Sequence, residues 1–160
     1  MKSVAHRDAS APSLASDADL TWSDARLLGF GPMDDEHREF YDVTLMLLLC
    51  DGAGALAAID AFEAHAIKHF GKEDEWMQAT GFPPRSCHMD EHAAVLESVR
   101  QVRQAVADGR AGAEDVHDLG AHLFEWFPGH ADYLDSALAA WMSKKTHGGK
   151  PVVLRRKLDL

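Results

Sequence analysis

His69-Phe70-Gly71-Lys72-Glu73-Asp74-Glu75-Trp76-Met77 lies in a proline-free run from about Ala55 to Ala79. Leu56, Ile59, Phe62 and Trp76 recur there at three- and four-residue spacing, which predicts a helix with one buried face. His69 and Glu73 fall on that face. Being four apart, they stand about 40° from each other around the helix and one turn apart along it, so both side chains reach the same side. Burying an unpartnered polar pair is costly, so their partners must come from other segments.

Working outward, three further stretches show the same periodicity. The first runs from about Asp34 to Cys50 and aligns Met33, His37, Tyr41, Thr44 and Leu48. Another, from about Ser86 to Asp108, aligns His88, His92, Val95, Val99, Val102 and Val106. The last, from about Ala113 to Ser143, aligns Val116, Leu119, Leu123, Trp126, His130, Leu134, Leu138 and Trp141. Turn signals separate the segments at Asp51-Gly52-Ala53-Gly54, Thr80-Gly81-Phe82-Pro83-Pro84 and Asp108-Gly109-Arg110-Ala111-Gly112. No segment reads as a strand. Short connections make successive helices antiparallel neighbours, so the expected fold is all-α, an up-down-up-down antiparallel four-helix bundle.

In such a hairpin, two residues share a height when the midpoint of their numbers falls in the connecting turn. His37 and His69 average to position 53, Glu73 and His88 to 80.5, and His92 and His130 to 111, each inside a turn. Every helix therefore brings inward polar residues to one level. His88 and His92 repeat the four-residue spacing of His69 and Glu73. The converging set is His37, His69, Glu73, His88, His92, His130 and Asp135. A carboxylate can bridge two cations through its two oxygens, whereas an imidazole binds one metal through one nitrogen, so five histidines and two bridging carboxylates suit two metal ions. Mixed imidazole and carboxylate ligation is typical of iron, with zinc the second choice.

Bulk properties bound the function classes. The chain of 160 residues is 46% hydrophobic, enough for one ordinary domain. A formal charge of -10 argues against nucleic acid as a partner. No apolar run approaches membrane-spanning length and the first residues lack a secretory apolar core, so no membrane insertion and a cytoplasmic location are expected. Cys50 and Cys87 are too few for a disulfide scaffold or a four-thiolate zinc site. Residues 1 to 20, rich in Ala, Ser and Asp, read as a flexible arm, residues 21–143 as the metal-binding domain, and 144–160 as a basic tail. That tail carries Lys144, Lys145, Lys150, Arg155, Arg156 and Lys157 against Asp159, and can dock a protein partner, fold back onto the acidic bundle or stay solvated.

The motifs carry a family likeness. Trp22 to His37, ending Met33-Asp34-Asp35-Glu36-His37, resembles the opening of bacterial hemerythrins, and His69 to Met77 resembles their second motif. His88-Met89-Asp90-Glu91-His92 and Trp126-Phe127-Pro128-Gly129-His130-Ala131-Asp132-Tyr133-Leu134-Asp135 resemble the third and fourth. The likeness spans roughly residues 20 to 143, with all seven positions filled in family order. It implies a non-haem diiron centre with an oxo or hydroxo bridge. His88, His92 and His130 would hold one iron, His37 and His69 the other, with Glu73 and Asp135 bridging. The His37/His69 iron is then one ligand short, and the open position would take dioxygen. The resemblance implies reversible binding by a carrier, store or delivery protein rather than an enzyme. Phe70, Trp126 and Phe127 would limit water at the site. Oxygen, nitric oxide or redox sensing, or peroxide chemistry at the same irons, is the alternative. A ferritin-like oxidase would need two Glu-x-x-His motifs, and Glu114-Asp115-Val116-His117 is the single match.

Three further expectations concern particular residues. Pro128 and Gly129 stand inside a segment required to be helical, where proline removes a hydrogen bond and kinks the chain. His130 and Asp135 are five apart, about 140° on a regular helix, so a local widening of the helix is expected to realign them. Ala131 stands where the family often has a larger aliphatic residue. Among the remaining histidines, His65 is expected in the core or behind the ligands, and His6, His117, His122 and His147 in solvent.

Overall fold

The computed structural model describes Ser16 and residues 19–147. A 3-10 turn at Asp24–Arg26 precedes α1 (Gly31–Leu49), α2 (Ala55–Thr80), α3 (Arg85–Ala107) and α4 (Ala113–His130); a π-helical segment, Ala131–Asp135, then joins α4 to α5 (Ser136–His147). α1 packs on α2 and α4, α2 on α3, and α3 on α4. The fold is the expected four-helix bundle, with α4, the π segment and α5 forming the fourth rod.

Local chemistry sets the ends of the rods. Pro32 occupies the first turn of α1, where its missing N–H costs nothing. Asp34 reaches back to accept the N–H groups of Leu28 and Gly29 at 2.7 and 3.1 Å, tying the entry strap to the helix. Asp51 accepts the Gly54 N–H at 2.7 Å and turns the chain into α2. At the end of α2, Gly81 takes φ +66°, a conformation that side chains disfavour, and the Phe82 N–H closes on the Met77 carbonyl at 2.9 Å. Gly120 lets α4 approach α1, since a Cβ there would stand 3.0 Å from that of Leu47.

The core is split in two. Phe40, Leu47, Ile59, Phe62, Val99, Val116, Leu123 and Phe127 fill one end of the bundle. Phe30, Met33, Met77, Phe82, Leu138 and Met142 fill the other. On three of the rods polar inward residues fall between these two clusters: His37 between Met33 and Phe40, Glu73 between Phe70 and Met77, and His130 and Asp135 between Phe127 and Leu138. A polar layer is thereby sealed on both sides by apolar packing.

Several details differ from expectation. Pro128 and Gly129 face solvent within α4, which keeps α winding through His130. The disturbance expected at the proline is instead a widening that begins at Ala131, where the Ser136 N–H bonds the Ala131 carbonyl. The expected realignment is thus present as a π segment. α5 continues to His147, so Lys144 and Lys145, assigned to the tail, lie on a helix and are exposed. Leu56 is exposed rather than inward, and Leu48, Val95, Val102 and Val106 are half-buried, packed against the outside of the core. His117 is half-buried rather than solvated: its Nε2 meets the Cys50 carbonyl at 2.7 Å and satisfies the end of α1. Of the proposed arm and tail, all but Ser16, Asp19, Leu20 and residues 144–147 lie outside the described residues, as does His6. Among the described residues no helix is long and apolar enough to cross a membrane.

Candidate metal centre

α1 supplies His37, α2 His69 and Glu73, α3 His88 and His92, α4 His130, and the π segment Asp135. None of the seven is more than 3% exposed. The structure brings all of them together, and the two carboxylates organise the set. Glu73 turns Oε1 toward His69 Nε2 at 2.9 Å and His37 Nε2 at 3.6 Å, and Oε2 toward the Nε2 atoms of His88 and His92, each at 3.3 Å. Asp135 turns Oδ2 toward His37 Nε2 at 3.0 Å, and Oδ1 toward His88 Nε2 at 2.9 Å and His130 Nε2 at 3.0 Å. Each carboxylate therefore turns one oxygen to the His37/His69 side, Asp135 reaching His37 alone, and the other to two of the trio His88, His92 and His130.

These contacts are short, yet most are not hydrogen bonds. His37 Nε2, His88 Nε2, Glu73 Oε2 and both Asp135 oxygens are buried with no hydrogen-bond partner. Native interiors rarely leave such groups unpaired. Atoms this close that do not point at one another point at common third positions. The donor set, nitrogen and carboxylate oxygen around two foci, fits cations there.

The electrostatics agree. Burial pushes the His37 imidazole down, but the carboxylates of Asp135 and Glu73 outweigh it and lift the group from 6.5 to about 9. The same balance lifts His88 to about 9. Burial also opposes protonation of His92, and Asp74 and Glu73 together raise it. Burial would raise the Glu73 carboxyl, but His69, His37 and His88 hold it well below the usual carboxylate range. Asp135 is likewise held low: His130, His37 and His88 outweigh burial and the repulsion from Glu73. The layer is built to hold negative charge against positive.

Aromatic rings wall the centre. Phe70 stacks on His92 at 4.2 Å and Trp126 lies against His130 at 4.4 Å, closing the side of the three histidines. Phe127 sets its edge on His37 at 4.9 Å. Sequence reading named these three rings and missed Phe40, which stacks on Phe127 and packs edge-on against His69; its place three residues after His37 was the available signal. It also missed Asp74, whose Oδ1 lies 2.8 Å from His92 Nδ1. A cavity of about 420 Å³, lined by Trp22, Tyr41, Phe127 and Ala131 together with the charged Arg26 and Asp132, reaches His37.

Residues 29–142 match the Hemerythrin HHE cation binding domain family. The chain belongs to the hemerythrin family. The chain is 38% identical over 128 residues to a bacteriohemerythrin of Ralstonia nicotianae (strain ATCC BAA-1114 / GMI1000), covering 79% of the present chain and 90% of that protein. It is 27% identical over 125 residues to a bacteriohemerythrin of Stenotrophomonas maltophilia (strain R551-3), covering 75% and 79%. A solved structure of a mutant hemerythrin superposes with a TM-score of 0.67 at 22% identity, over 75% of this chain and 97% of that one. The chain therefore shares its bundle with a solved hemerythrin and carries a buried cluster of histidines and carboxylates.

Proposed function

We propose that the chain binds dioxygen reversibly at a pair of irons, as a carrier, store or delivery protein rather than an enzyme. The irons would be held by His37 and His69 on one side, by His88, His92 and His130 on the other, and by one oxygen each of Glu73 and Asp135 on both. The observation that carries this reading is the unequal division of nitrogens, two against three, combined with a cavity that reaches His37. The side that lacks a fifth protein donor is the side a small molecule can approach. When bound, an iron pair supplies the electrons that let dioxygen attach and leave unchanged.

The chain's own residues favour release over turnover. Phe40, Phe127 and Phe70 surround the histidines with rings that offer no proton, and breaking an O–O bond needs proton donors at the oxygen atoms. Glu73 and Asp135, held ionised by the histidines, accept rather than donate. Carriage also accords with two relatives called bacteriohemerythrins.

Optical spectra test this. Anaerobic ferrous protein should develop near-ultraviolet and visible charge-transfer bands in oxygen and lose them when oxygen is removed, over repeated cycles. Bands that persist after deoxygenation, with peroxide in solution, would show oxidation instead and overturn carriage.

A further inference from the structure

The histidines of the centre differ in what stands behind them. Behind His92 is the Asp74 carboxylate, 2.8 Å from Nδ1. Behind His130 is Glu91, 3.6 Å from Nδ1, held there by the Trp126 N–H at 3.2 Å. Behind His69 stands a second imidazole. His65 Nε2 lies 3.1 Å from His69 Nδ1, and His65 Nδ1 faces Glu39 Oε1 at 3.5 Å. His65 is 3% exposed, whereas the Glu39 side chain is 47% exposed. One row of groups thus runs from the centre to the surface on the two-histidine side.

We propose that His65 is a positioning residue for His69: it accepts the Nδ1 proton of His69, which leaves His69 Nε2 bare toward the metal, and turns its own Nδ1 proton toward the charge of Glu39, 3.5 Å away and not hydrogen-bonded to it. The inference rests on the diiron reading above. A neutral imidazole carries one N–H, and which nitrogen bears it follows from the hydrogen bond the other makes. His69 Nε2 points into the centre, where without a metal it donates to Glu73 Oε1 at 2.9 Å. For that nitrogen to offer a lone pair to a cation, the proton must sit on Nδ1, where His65 Nε2 meets it. His65 Nε2 must then be the acceptor, so its proton sits on Nδ1 and faces Glu39. Every N–H in the row points outward.

The same neighbourhood offers a rival use. Glu36, Glu39 and His65 hold ligand atoms within 4.8 Å of one another, as a third cation site would. Two facts oppose it. Lys68 and Lys72 both reach Glu36 Oε1, Lys68 at 3.5 Å, and supply the positive charge already. Moreover, a cation on His65 Nδ1 would drive its proton to Nε2, and the proton of His69 to that residue's Nε2, aiming an N–H into the centre. The two uses exclude each other, and the buried seven-residue centre favours the outward row.

The row also grades donor strength. A carboxylate directly behind a ligating histidine raises its basicity; His92 has one, while His69 has a neutral ring with the carboxylate one step further out. Glu39 therefore acts on His69 through His65.

The test is iron retention and reduction potential in four proteins: the wild type, His65→Leu, His65→Gln and Glu39→Gln. Helical content is read by circular dichroism throughout. His65→Leu should keep its helices and bind one of its two irons about 10–100-fold more weakly against a chelator, the usual effect of removing such a partner. Gln can place an acceptor oxygen near the lost Nε2, so His65→Gln should recover most of that loss. Glu39→Gln, a surface change, should hold both irons and shift the potential upward, because a weaker donor stabilises the ferric pair less. Iron retention in His65→Leu equal to wild type, a His65→Gln protein as weak as His65→Leu, or an unmoved potential in Glu39→Gln would each overturn the proposal. Wild-type protein that binds fewer than two irons would instead overturn the diiron reading, and this inference with it.

Discussion

His130 and Asp135 stand five residues apart on the fourth rod, yet His130 Nε2 lies 3.0 Å from Asp135 Oδ1. The backbone between them winds as a π-helix, Ala131–Asp135, closed by the Ser136 N–H on the Ala131 carbonyl. An i→i+5 turn holds one residue more than an α turn, so it stacks residues that regular winding would send to different faces. Single-turn π segments cluster at functional sites, and here the widened turn delivers the second carboxylate.

That extra residue makes a length-dependent prediction. Tyr133 is 82% exposed, and deleting it should return the segment to α winding while keeping Leu138 and Ala139 in the core. The deletion protein should fold and melt within a few degrees of the wild type. Inserting one alanine after Tyr133 should instead rotate everything downstream by about 100°, expel Leu138 and cost about 3 kcal/mol or more. Thermal melts followed by circular dichroism distinguish the two, and equal melting of both variants would contradict this account.

Removing a dividing carboxylate should strip the centre. Glu73 faces both groups of histidines, so Glu73→Gln should lower iron content from two per chain to one or none. Iron analysis after gel filtration measures it. The helices should persist in circular dichroism, since Gln fills the same volume.

Without metal, the protein should lose stability as pH rises. His37 and His88 are raised from 6.5 to about 9 in the folded chain, so the fold binds their protons more tightly than the unfolded chain does. That stabilisation is fully present below about pH 6.5 and disappears as pH passes through about 9. The melting temperature of metal-free protein should fall across this window. Iron binding needs deprotonated imidazoles, so iron affinity should rise over the same interval. A metal-free melting temperature that climbs with pH there would refute the assignment of these charges.

Access to His37 should depend on Ala131, which lines the cavity beside it. Ala131→Leu adds apolar volume at the mouth and should slow azide binding and autoxidation on the order of tenfold, a barrier change of about 1.4 kcal/mol. Stopped-flow mixing with azide reads the first rate and loss of the oxygenated spectrum the second. Unchanged rates would mean that ligands reach the centre by another route.

Much of this was readable from residue order because it depends on local periodicity and loop length. The stripes on α2 and α4 and the three turns identify the rods, and the midpoint relation brings His37, His69, Glu73, His88, His92 and His130 to one level. Asp135 was harder to place, since a regular helix turns it away from His130, and only the mismatch in spacing signalled the π turn. Leu56 and His117 misled because an apolar residue at a rod end and a histidine beside a neighbouring helix end take their environment from a different element.

Residue order by itself determined how many rods form, which way each runs and which polar side chains share a height, because helical periodicity and connection length are properties of contiguous chain. Tertiary structure alone decided that Glu73 and Asp135 divide their oxygens between two and three histidines, that His65 backs His69 and points toward Glu39, and that the cavity opens at His37 rather than at His92. Those relationships depend on rotamers and on the approach of helices distant in sequence, and they exist only once the two apolar cores have closed on the polar layer between them.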